Sequence, residues 1–224
     1  MDVDQPKPGH GWWSAAKEVG IIVLGVLIAL AGEQTVQWFH WNNEVEQTRE
    51  ALDREVAFNL AAVNRRLEEA GCMDRRLDQL KVYFTRHATG SDQAPSVPVG
   101  QPQFQRTHSN VWEVALASDV MSHFPLDERL HYAAIYDGFD WLRTREAEES
   151  AEWTQLAELD DFASLEKEDW SDLRAARARA KALADKVDFS APSLLHDGQA
   201  WRNRAIPPSA APSPGARALC DALT

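Results

Sequence analysis

Two cysteines, Cys72 and Cys220, are the residues of this 224-residue chain that could form a covalent cross-link with each other. In an oxidising compartment an isolated pair is a disulfide candidate, and this one would pin the C-terminal tail against an early helix. No C-x-x-C or His-rich spacing accompanies it, so the pair does not read as a metal site. Among the seven histidines, His123 and His131 come closest on a shared stretch, but Pro125 separates them and they do not share a helical face. The acidic groups Glu158/Asp160/Asp161 and Glu166/Glu168/Asp169 lack the glycine-bearing spacing of a calcium loop and read as a solvated helix face.

The sequence contains no G-x-S-x-G elbow, no H-E-x-x-H, no G-x-G-x-x-G and no G-x-x-x-x-G-K phosphate loop. The expectation is therefore a non-enzymatic protein with no catalytic residues, no metal and no cofactor. A hydrolase without a motif would need a cleft holding a perturbed acid or histidine.

The carboxylate in the most unusual setting is Glu33, which follows the uncharged run Val19–Gly32, VGIIVLGVLIALAG. That run alone is short for a bilayer crossing, which takes about 17 to 25 apolar residues. Its flanks extend it: Trp12 and Trp13 on one side, Trp38, Phe39 and Trp41 on the other. From Trp13 to Trp38 a helix covers roughly 38 Å, close to a bilayer with its headgroup layers, where aromatic belts settle. Residues 14–38 are read as a transmembrane helix. Lys7 and Lys17 precede it and no basic residue follows before Arg49, which places residues 1–13 in the cytoplasm and the bulk of the chain in the periplasm of a bacterial inner membrane. A second reading of the segment is a secretory signal peptide cleaved at Ala29-Leu30-Ala31.

Within the span Gly25, Ala29 and Gly32 form a small-residue stripe of the kind that lets membrane helices approach closely. Glu33 stands at its outer end, roughly 11 Å from the midplane. There it either meets a polar partner or sits among headgroups.

The formal charge is −12, and residues 1–32 hold two basic and three acidic side chains, so the outer part is strongly acidic. Nucleic acid, which needs a basic face, is not an expected partner. The expected partners are membrane lipid and other membrane subunits or a second copy of the chain.

From Glu44 onward the pattern is helical. Leu52, Val56, Leu60, Val63 and Leu67, then Met73, Leu77, Leu80 and Tyr83, make one apolar stripe. The intervening Arg54, Glu55, Arg65, Arg66, Glu68 and Glu69 are expected on the solvated face. Without a proline or turn cluster before Gly90, the membrane helix is expected to run on into this one, any break falling near Asn42-Asn43 or Gly71. Residues 88–106 read as a loop. A second helix is expected to start with Ser109 or Asn110 as N-cap, a third at Pro125, and a fourth through Leu173, Ala176, Ala180, Leu183 and Val187. Prolines at 192, 207, 208, 212 and 214 predict an extended tail over 189–224, with Trp201 and Leu219 as docking points. Of nine tryptophans, Trp112, Trp141, Trp153 and Trp170 are expected in cores. The fold class is all-α: a transmembrane helix over 14–38 continuing into an antiparallel bundle of about four helices over 39–188, then a proline-rich tail.

The string KEVGIIVLGVLIAL, followed by a Trp- and Asn-bearing helix and by VWEVALASDVMSHFPLDERLHYAAIYDGF, resembles a loose group of uncharacterised bacterial single-pass membrane proteins. The residues carrying the likeness are Lys17, Glu18, Gly25, Trp112, Leu126, Asp127, Leu130 and Tyr136. The resemblance covers about a third of the chain and implies topology, not an activity. With one membrane helix and a short cytoplasmic end, the expected function lies in contacts, as a scaffold or accessory subunit; the alternative is a sensor bundle holding a small ligand between its helices.

Overall fold

The computed structural model describes residues 11–90, 93–201, 208 and 211–223. Most of the expected cytoplasmic segment, Lys7 included, and residues 202–207, 209 and 210 of the expected tail lie outside these. All regular structure among the described residues is helical. One helix, α1, runs unbroken from Gly11 to Ala88 and is long and apolar enough in its first part to cross a membrane. Neither Asn42-Asn43 nor Gly71 interrupts it. At ~1.5 Å per residue its 78 residues reach about 117 Å.

After α1 the chain returns along the helix as an extended strap. α2 (Asn110–Ala117) and a 3-10 turn at Asp119–His123 lead to α3 (Leu126–Leu156), which runs parallel to α1. A second 3-10 turn, Ala157–Ser164, reverses the chain into α4 (Asp169–Ala200), which descends between α1 and α3. The short α5 (Pro214–Ala218) lies at the far end of the bundle.

Three sequence expectations are corrected. α4 does not stop at 188: it continues through Pro192 to Ala200, so the tail starts later. A proline inside a helix costs about 3 kcal/mol, yet just before it Ala191 is buried, and beyond it Leu194 and Leu195 pack against the core and Gly198 sits against Leu60. Burying such side chains contributes ~1.5–3 kcal/mol each when complete, enough to offset the break.

Ser109 stands at the N-cap of α2 as expected, but the capping bonds are different. The Ser109 side chain makes no capping bond and instead donates to Glu113, while the free N–H groups of Val111 and Trp112 donate to the carboxylate of Glu55 on α1. Tyr136 on α3 donates to the same carboxylate, so Glu55 ties three helices together. Lastly, Arg65, Arg66 and Glu69 are buried rather than solvated. The apolar stripe marks one face of α1, but α3, α4 and the strap cover more than one face, and the buried arc widens to take in these charges.

The core is double. Nearer the apolar segment of α1, Leu52, Val56, Leu60 and Val63 pack with Tyr132, Ile135, Tyr136, Phe139 and Leu142 of α3 and Val187 and Ala191 of α4. Farther out Met73, Leu77, Leu80 and Phe84 pack with Trp153, Leu156, Leu173, Ala176 and Ala180. Between the two lies a layer of charge.

Candidate functional site

Along α1 the fully buried part of the apolar stripe lapses between Val63 and Met73, where Leu67 is only half-buried, and α3 lapses at the same level between Leu142 and Trp153. The residues that fill this gap are ionic. Arg66, 2% exposed at its side chain, reaches the fully buried Glu149 of α3 at 3.4 Å and Asp188 of α4 at 3.0 Å. Arg65 pairs with Glu68 at 3.4 Å and approaches Glu69 at 4.0 Å. The Trp153 indole donates to the other oxygen of Glu149. Each charge removed from water here costs several kcal/mol before its partner compensates, so pairing in this layer decides whether the bundle tolerates it.

The acids outnumber the bases. Glu69, Glu146, Glu149 and Asp188 face two arginines, and both arginines are already engaged. Desolvation raises the carboxyls of Glu69, Glu149 and Asp188 above their ordinary values, with neighbouring arginine charge opposing the rise. Glu146 is the surplus acid. It is 6% exposed and makes no hydrogen bond or ion pair among the described residues. Burial, aided by the charges of Glu149 and Glu69 and opposed by Arg66, pushes its carboxyl up to about 8.

Glu146 opens on a cleft of about 710 Å³ whose one wall is the strap, Phe104 to Asn110, and whose other is the α3 face of Arg143, Glu146, Ala147 and Ser150. Those α3 positions recur at helical spacing, so one face supplies them all. The strap is pinned at two points by side chains of α1. Glu69 accepts the Gln103 N–H at 2.9 Å, and the Asn59 amide clamps His108, accepting from its N–H at 2.8 Å and donating to its carbonyl at 2.7 Å. Ten residues of helix and five of extended chain both span roughly 15 Å, so the segment between the pins runs taut. On it Thr107 is buried, and its hydroxyl has no hydrogen-bond partner.

The residues singled out from sequence are not part of this arrangement. Gly25, Ala29, Gly32 and Glu33 lie on the apolar part of α1, with open space around both glycines; Glu33 accepts a bond from Gln37 at 3.4 Å. Trp12, Trp13 and Trp38 are exposed on the same helix. Trp41 is half-buried and stacks on His123 at 3.9 Å, which seats the 3-10 turn against α1 just beyond the apolar segment. Cys72 and Cys220 are joined in a disulfide across 148 residues of chain. It holds the tail with help from Arg76, fully buried, which donates to the carbonyls of Ala218 and Asp221. Gly100, at φ +77°, allows the strap to pass against the Leu219 backbone, where a Cβ would come within 2.8 Å. Trp112 stacks on Tyr136, Trp153 is buried, and Trp170 packs on His87, while Trp201 stacks on His131 at the end of α4.

Sequence reading missed the charged layer and its cleft. The usable signal was a lapse of similar length in the apolar periodicity of each helix, Val63 to Met73 on α1 and Leu142 to Trp153 on α3. No family model, curated protein or solved structure matches this chain.

Proposed function

We propose that the chain is a non-enzymatic, membrane-anchored helical scaffold or accessory subunit of a larger inner-membrane complex, with its N-terminus in the cytoplasm and its bundle in the periplasm. The observation that carries this is α1. One uninterrupted helix supplies both the apolar segment, none of it buried by protein, and the central element of the outer cores. A contact made in the membrane is thereby transmitted rigidly to the bundle. Large apolar side chains also remain exposed near the membrane end. Val114 borders a groove with His40 and Trp41, and Leu126 follows the turn seated on Trp41.

The test is gentle-detergent purification of the native assembly with a photo-crosslinker at Val114 or at Gly25. A membrane protein, or a second copy, that co-purifies in fixed ratio and crosslinks from these positions is the expected result. A monomer crosslinked only to lipid overturns the reading. For topology, a periplasm-dependent reporter fused after Thr224 should be active, and cytoplasmic activity reverses the orientation.

A second reading, a ligand-binding or sensor bundle, is favoured by one observation: the cleft that exposes the surplus buried acid Glu146. Its test is direct ligand binding by the full chain.

A further inference from the structure

We infer that the cleft between the strap and α3 binds a small organic monocation, an amidinium, guanidinium or ammonium group, on the carboxylate of Glu146 with the Thr107 hydroxyl as a second acceptor. This rests on the ligand-binding reading and gives it a chemical class.

Four observations converge on that class. The Glu146 carboxyl is buried yet lines an open cleft, and every cation near it is committed elsewhere: Arg66 to Glu149 and Asp188, Arg65 to Glu68 and Glu69, Arg143 to Asp140. A buried carboxylate without an ion-pair partner of its own takes either a proton or a cation. Thr107, on the opposite wall, is 3% exposed and its oxygen lacks a partner. A hydroxyl left so is unusual in a native interior, and a ligand N–H satisfies it. Phe104 lines the same cleft and offers an aromatic surface to a planar cation.

A metal ion fits less well. Hard cations take six or more oxygens, whereas Glu146 is the one carboxylate on the cleft lining, and no group of three metal-ligating side chains occurs among the described residues. Arg106, exposed at the mouth, adds positive charge there and disfavours polycations such as polyamines. At about 710 Å³ the cleft falls within the usual range for small-molecule sites.

Proton and ligand compete for the same carboxylate. The charges that act on it are Arg66 and Glu69 from α1 and Glu149 on its own helix, with Asp188 of α4 sharing Arg66; Arg143 of α3 and Arg106 and His108 of the strap line the same cleft. With the carboxyl at about 8, its ionised fraction, and the affinity for a cation with it, rises about tenfold between pH 7 and pH 9.

The probe is benzamidine, a planar monocation over this range, with neutral benzamide as its isostere. Calorimetric titration uses the full chain in detergent. Benzamidine should bind at least tenfold more tightly than benzamide, with affinity increasing toward pH 9. Glu146→Gln should abolish both the binding and its pH dependence while keeping a melting temperature at or above wild type. Thr107→Val should weaken binding about threefold, the worth of one modest hydrogen bond. Equal binding of benzamide and benzamidine overturns the cation assignment while leaving a ligand cleft. Binding of neither probe overturns both, and wild-type affinity in Glu146→Gln removes Glu146 from the site.

Discussion

The two halves of α1 solve opposite problems with the same backbone. Over its first thirty residues or so, Ile21, Ile22, Leu24, Leu27 and Ile28 are all more than half exposed, and the structure offers no protein surface to cover them. Over its second half Leu52, Val56, Leu60, Met73, Leu77 and Leu80 are wholly buried. A lipid bilayer accepts apolar side chains all round the helix and rejects charge. The bundle accepts a stripe and has to accommodate the charges flanking it. Hence the first half is uniform, whereas the second carries both the most buried leucines and the most buried ionic groups.

The largest effect separating the halves should come from the disulfide, which restrains the outer half alone. A cross-link closing 148 residues contributes about 5 kcal/mol in the chain-entropy picture. Replacing both cysteines by serine should lower the bundle's denaturation midpoint by a corresponding amount without affecting membrane insertion. Native protein should also run faster on non-reducing than on reducing gels; two alkylatable thiols under oxidising conditions would rule the bridge out.

Next comes the charged layer. Arg66→Met leaves Glu149 and Asp188 buried without their shared cation, which should cost roughly 3 to 5 kcal/mol. If denaturant titration finds less than 1 kcal/mol, the layer is hydrated and contributes little to holding the bundle together.

A direct contrast uses one truncation in each half. Leu60→Ala, in the closed core against Gly198, should cost about 3 kcal/mol. Leu24→Ala, facing outward from the apolar segment, should leave bundle stability within about 0.5 kcal/mol. Similar losses at both positions would mean that protein, rather than lipid, covers the first half.

The smallest effect is in the pH profile. The folded-state carboxyl of Glu146 lies above its unfolded value, so the folded state holds the extra proton, and stability from this group falls as pH rises from about 4.5 toward 8. Glu146→Gln should therefore gain about 2 kcal/mol on wild type between pH 5 and pH 7. A difference that does not change with pH would place the carboxyl near its ordinary value.

Much of this architecture was legible in advance because it depends on local order along the chain. The uncharged run between tryptophans, the stripe from Leu52 to Leu80, Pro125 beside the start of α3 and the alanine-rich stretch of α4 each act within a few turns of helix. The sequence itself therefore determined the helical class, the number of long helices and the segment suited to lipid. Tertiary structure alone decided that Arg66 meets Glu149 and Asp188, that Glu55 caps a helix 55 residues away, that α4 continues through Pro192, and that Glu146 is left without a cation beside a cleft. Periodicity reports which face of a helix is apolar. It does not report how many neighbours cover that helix, and whether a charge next to the stripe is solvated or buried depends on that number.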